Sequence, residues 1–127
     1  MLRRAVVQAI AAGVPELGGR VYQAFLAPPD AQFPHATVRL AGELQQTPLA
    51  GAVTVDVRLY ERRGSFLALD ALQAAVMAAL HRREVVDPQT GARYELAWAG
   101  GAIDLEETER DAIVRLLRFG AAVVFAR

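Results

Sequence analysis

The chain has 127 residues, 54% of them hydrophobic and 22% charged, and its 14 basic residues, all arginine, are balanced by 14 acidic ones. That length and composition describe one soluble globular domain over residues 1–127, able to bury roughly two thirds of the surface an unfolded chain exposes, and they exclude intrinsic disorder, in which low hydrophobicity cannot offset chain entropy. Zero net charge argues against specific nucleic-acid binding, which needs a dense positive field on the phosphates, and the absence of cysteine excludes disulfides and thiolate metal sites.

Lysine and asparagine are also absent, and Ser65 is the only serine. Either GC-rich coding or a thermophilic origin, with its avoidance of thermolabile side chains, produces such usage. The opening "MLRRAVVQAIAAGVPELGG" superficially resembles a signal peptide. Gln8 interrupts its apolar run, no small-residue cleavage pattern follows, and the run is too short for a membrane span, so an amphipathic helix and a cytoplasmic protein without membrane attachment are expected.

Leu2, Val6, Ala9, Ile10 and Gly13 lie on one helical face, which places a first helix at about 2–13, closed by Val14, Pro15, Gly18 and Gly19. "RVYQAFL" (20–26) reads as a strand. "APPDAQFPH" reads as a loop, because Pro28, Pro29 and Pro34 remove backbone donors and keep their predecessors extended. "ATVRLAGEL" resumes as a strand, and "QQTPLAG" is a turn.

In "VTVDVRLYERRGSFLALDAL" (53–72) the period changes from two to helical. Val53, Val55, Val57 and Leu59 line one strand face, with Thr54, Asp56, Arg58 and Tyr60 on the other. After the corner at Arg62, Arg63 and Gly64, Ser65 is a candidate helix cap, and Phe66, Leu69, Leu72, Gln73, Val76, Met77 and Leu80 form a broad stripe. Arg82 and Arg83 favour the negative end of that helix, and His81 there is expected to serve as a partner to its dipole.

"EVVDPQTGARYELAWAGG" has the form of a hairpin turning at Asp87, Pro88 and Gly91, with an exposed tip. The acidic run "DLEETERD" precedes "AIVRLLRFGAAVVFAR", which suits a long terminal strand bent at Gly120. A helix over 107–118 is the competing reading, since Glu107, Asp111, Arg115 and Arg118 also suit helical pairing. The elements in order, α-β-β-β-α-β-β-β, give an α+β fold, mainly antiparallel sheet packed against two helices.

Catalytic material is sparse. His35 and His81 lie on different elements, too few for a metal centre, and His35, after a proline, is assigned no role. No activated cysteine or lysine exists, and the Gly-Gly pairs lack a dinucleotide or phosphate-loop spacing, so no cofactor is expected. Trp98 and Tyr94 read as core or interface residues rather than a base-stacking platform.

The acids Asp104, Glu106, Glu107, Glu109 and Asp111 are either a solvated face or the source of an acid and base pair. An enzyme would then need an apolar concavity with a raised carboxyl pKa beside them. Surfaces carry more information: Arg62 and Arg63 at the corner, Pro28, Pro29 and Asp30 in the long loop, and the acids Asp104, Glu106 and Glu107. Opposite charges on separate elements can meet between identical subunits, closing a ring if the rotation permits.

Three stretches, "MLRRAVVQAIAAGVPELGGRVYQAFLAPPDAQFPHATVRL", "VTVDVRLYERRGSFLALDALQAAVMAAL" and "DPQTGARYELAWAG" before a terminal strand, carry a resemblance over nearly the whole chain. In this layout the sequence resembles the tail-completion, or tail terminator, proteins of long-tailed bacteriophages and related gene transfer particles, the minor tail protein U-like group. The longer acidic stretch and Glu61, Arg62 and Arg63 at the corner depart from the pattern. The resemblance implies a virion tail protein, assembled in the host cytoplasm, whose ring of about six copies caps the tail tube and stops its growth. Its implied partners are other copies of itself, the tail tube protein and the head connector proteins. It implies no catalytic residue and no cofactor, and it places the polar row Thr54, Asp56, Arg58 and Tyr60 toward the ring channel or a neighbouring subunit. Another head-to-tail junction or tail tube protein is the nearest alternative, and an enzyme is a more distant one.

Overall fold

The computed structural model describes residues 2–24, 26–41 and 52–124. Helix α1 (Leu2–Gly13) passes through a 3-10 turn (Pro15–Leu17) into the short strand β1 (Val21–Gln23), followed by β2 (His35–Ala41) and β3 (Ala52–Arg62). Helix α2 (Phe66–Leu80) comes next, then β4 (Arg83–Val86), β5 (Arg93–Glu107), a 3-10 turn (Thr108–Arg110) and β6 (Ala112–Val124). The fold is α+β with the expected order of elements. The "QQTPLAG" turn and the end of "ATVRLAGEL" lie outside the described residues.

The strands form one six-stranded sheet ordered β1-β2-β3-β6-β5-β4. All neighbours are antiparallel except β1 and β2. Parallel neighbours need a connection that travels back along the sheet, and the proline-bearing segment between β1 and β2 makes that return, which accounts for its length. β1 stops short of the expected Leu26 because the Leu26 N–H already turns back to the Gln23 carbonyl, 3.0 Å away.

Both helices cover one sheet face. Leu2, Ala5, Val6 and Ile10 of α1 and Leu69, Leu72, Val76 and Leu80 of α2 share a core with Val38, Val55, Val57, Leu59, Leu117 and Phe119. The alternation in β3 is thus a burial pattern, and each fully covered leucine contributes about 1.5–3 kcal/mol. The helices approach closely at Gly13, where a Cβ would stand 2.9 Å from the Ala79 Cβ. Gly64, at φ 87, supplies the left-handed corner that folds α2 back onto β3. Ser65 occupies the cap position without a side-chain cap bond, and Phe66, the first residue of α2, leaves the stripe with 48% of its surface exposed.

The long terminal strand forms as expected and the competing helix over 107–118 does not, because β6 pairs with β3 from Arg62 opposite Ala112 to Ala52 opposite Ala122. Two further expectations are corrected. The ladder runs through Gly120 without a break, and the irregularity lies instead in β5 between Trp98 and Ala102. His81, expected as a partner to the α2 dipole, instead turns its Nδ1 to the Trp98 backbone N–H and accepts a hydrogen bond from it at 2.9 Å.

The β4–β5 hairpin turns at Asp87, Pro88 and Gly91 as expected, but Asp87 itself is fully buried. Its two oxygens accept from Nε and Nη2 of Arg4, each at 2.6 Å, from the Gln89 N–H at 3.0 Å and from the Thr90 hydroxyl at 2.7 Å. This bidentate contact ties α1 to the hairpin.

Candidate interface and its arginine-lined pocket

The sheet face opposite the helices carries the polar row of β3. Across from Thr54, Asp56, Arg58 and Tyr60 stand Ala41, Arg39, Thr37 and His35 on β2, and Gly120, Arg118, Leu116 and Val114 on β6. Asp56 is buried and accepts from Arg118 Nε at 2.9 Å and Nη2 at 3.3 Å. The row is therefore partly satisfied within the chain.

At one end of this face His35, 1% exposed, lies parallel to Tyr60 with ring centroids 4.4 Å apart. Phe33 and Tyr22 complete the aromatic surroundings at 5.4 and 6.1 Å. One neutral tautomer satisfies both ring nitrogens: Nδ1–H donates to the Gln32 carbonyl at 3.2 Å, and Nε2 accepts from Arg110 Nη2 at 3.2 Å. Burial, with the nearby Arg110 charge second, pushes the imidazole down to about 4.

Arg110 joins several predicted surfaces. Its Nη1 donates to the Pro29 carbonyl at 3.2 Å, and its Nε pairs with Glu107 at 3.1 Å. Nearby, the Arg63 N–H donates to the Asp111 carbonyl at 3.0 Å, and the Arg63 guanidinium meets Glu106 at 3.0 Å and Asp111 at 3.6 Å. The corner, the proline loop and most of the acidic run thus converge at one end of the sheet, with Pro28, Pro29, Asp30, Arg62 and Arg63 exposed. This charge pairing of Arg63 is made within one chain.

Asp104 stands apart. It faces the helix side, where Arg115 donates to it from Nε at 2.7 Å and Nη2 at 3.0 Å while reaching Asp70 and Gln73 of α2. The hydrogen bonds from Arg115 hold the Asp104 carboxyl below its ordinary range, opposite to the shift a general acid requires.

Between these groups a concavity of about 350 Å³ opens, lined by Ala24, Ala27, His35, Thr37, Arg39, Arg58, Tyr60, Glu107 and Arg110. Sequence reasoning placed Arg58, Tyr60 and Glu107 among its candidates and missed His35, Arg39 and Arg110. A signal was present: in "HATVRLA" His35, Thr37 and Arg39 alternate with Ala36, Val38 and Leu40, so the polar residues of β2 belong beside those of β3. Among the described residues no cluster of His, Asp or Glu is placed to hold a metal ion, and no described helix is long and apolar enough to cross a membrane.

No protein-family model and no functionally curated protein matches the sequence. The structure is similar to a solved chain described as "Virion of native gene transfer agent (GTA) particle", with a TM-score of 0.68 and 23% identity over 96% of this chain and 93% of that one. At that identity the likeness establishes a shared fold.

Proposed function

We propose that this chain is a non-catalytic structural protein of a phage-like particle, a tail terminator whose ring of about six copies caps the tail tube, stops tube growth and presents a face to the head connector proteins. The observation that carries the reading is the end-to-end fold correspondence, 96% of this chain against 93% of the other, with a chain of a gene transfer agent virion. Of the five acids from which the catalytic alternative drew its pair, Asp104 is held below its ordinary range, opposite to the shift a general acid requires. In this reading the protein resides in the virion tail after assembly in the host cytoplasm. Its contacts with other subunits, the tube and the connector use Arg62, Arg63, Pro28, Pro29, Asp30, Glu106 and Glu107, together with the helix-free face bearing Thr54, Asp56, Arg58 and Tyr60. Asp104, committed to Arg115, contributes at most indirectly by holding β5 in place.

The test is to add the purified protein to polymerising tail tube subunits and measure tube length by negative-stain electron microscopy. A terminator shortens the length distribution and decorates one tube end. Incorporation along the tube would assign a tube subunit instead, and unchanged, undecorated tubes would remove the capping role.

A further inference from the structure

The pocket on the helix-free face is lined by Arg58 and Arg110 on either side of His35, which is held neutral by its hydrogen bonds, with Glu107 as the carboxylate of the lining. Arg110 is already engaged by Glu107, His35 and Pro29. Arg58 is half-buried and has no hydrogen bond or ion pair among the described residues. Its cross-strand neighbours, Thr37 on β2 and Leu116 on β6, bring no charge. No buried side-chain nitrogen among the described residues lacks a partner, so the Arg58 donors open to solvent, where an incoming carboxylate can reach them.

The pocket floor continues into an apolar ledge. Arg58, Leu116 and Ile103 form one cross-strand row, and Tyr60, Val114 and Leu105 form the next. Ile103 and Leu105 are exposed by 55% and 48%. A free phosphate would use the arginines and leave the ledge bare, whereas a protein segment fills both.

We infer that this pocket receives a glutamate or aspartate side chain of a protein partner, inserted between Arg58 and Arg110, while apolar residues flanking that acid lie on Ile103 and Leu105. Arg58 supplies the fork that a carboxylate matches, and the His35–Tyr60 stack with Arg110 keeps the wall in place before the partner arrives, which limits the ordering cost of binding. The volume of about 350 Å³ suits a side chain rather than a folded module. This inference does not depend on ring formation, since a monomer presents the same pocket and ledge.

The experiment is a titration of isotope-labelled protein with a capped Leu-Glu-Leu peptide, followed by NMR, beside a Leu-Gln-Leu peptide, inorganic phosphate and a single-stranded DNA oligomer. The glutamate peptide should shift the signals of Thr37, Arg58, Tyr60 and Leu105, and the other three probes should leave them in place. Arg58→Met, which retains the apolar stem, should weaken peptide binding about tenfold or more, and Leu105→Ser should weaken it as well. Signal dispersion verifies that each variant is folded. Equal response to phosphate, response to DNA, or undisturbed pocket signals at millimolar peptide would overturn the inference.

Discussion

The buried His35 makes stability acid-sensitive in a window set by its own chemistry. Its folded-state value lies at about 4 against 6.5 for a free imidazole. Between those values the unfolded chain binds a proton that the native chain excludes, so stability is fully present above about pH 6.5 and falls as the pH drops toward 4. A separation of this size corresponds to about 3 kcal/mol in total, of which roughly 2 kcal/mol is already lost by about pH 5. The physical source is visible: the ring is closed between Tyr60, Phe33 and Tyr22, its Nε2 faces the Arg110 guanidinium, and a second ring proton would meet that cation. His35→Gln removes the titration while keeping an amide donor and acceptor for Gln32 and Arg110. Urea unfolding from about pH 7.5 to about pH 5 should then show the wild type losing roughly 2 kcal/mol more than the variant. The neutral-pH penalty of losing the stack cancels in that difference. Parallel pH curves, or an NMR titration placing His35 near 6.5, would refute the reasoning.

Arg4→Met leaves the buried Asp87 without its bidentate cation and should lower stability by about 2–4 kcal/mol, toward the lower part of the buried-pair range because a third of the Arg4 side chain is wet; Asp87→Asn in the same background should recover part of that loss in urea unfolding. Leu72→Ala, at a position 4% exposed, should cost about 2–5 kcal/mol, and a loss below about 1 kcal/mol would contradict the packing of α2 on β3. Reversing Arg62 and Arg63 together to glutamate breaks only exposed pairs with Glu106 and Asp111. The thermal midpoint should therefore barely move, while light scattering should report reduced self-assembly; unchanged assembly removes both residues from the proposed interface.

Where one physical rule dominated, the sequence was easy to read. The α1 boundaries, the valine face of β3 and the buried leucines of α2 follow from apolar spacing alone, because a single covered face imposes its period. The extension of β5 through Glu107 is hidden by Gly100 and Gly101 and by a charge run that reads as a solvated face, yet its acids stand on a strand whose hydrogen bonds go to β6. His35 looked like a loop residue because Pro34 precedes it, although the alternation in β2 begins at that residue. Contacts such as Arg4 with Asp87 join positions 83 apart in sequence, and no local pattern encodes them. The pocket shares that origin, because its walls come from β1–β2, β3 and the turn before β6, and only the topology assembles them.

The central claim is that this protein works by assembling into a closed ring. Native mass spectrometry over a rising concentration series, with negative-stain images of the same samples, tests it most directly. The account predicts a discrete species of about six subunits seen as a closed ring; a strict monomer at the highest concentration, with or without tail tubes present, or an open-ended polymer without a limiting size, would contradict it.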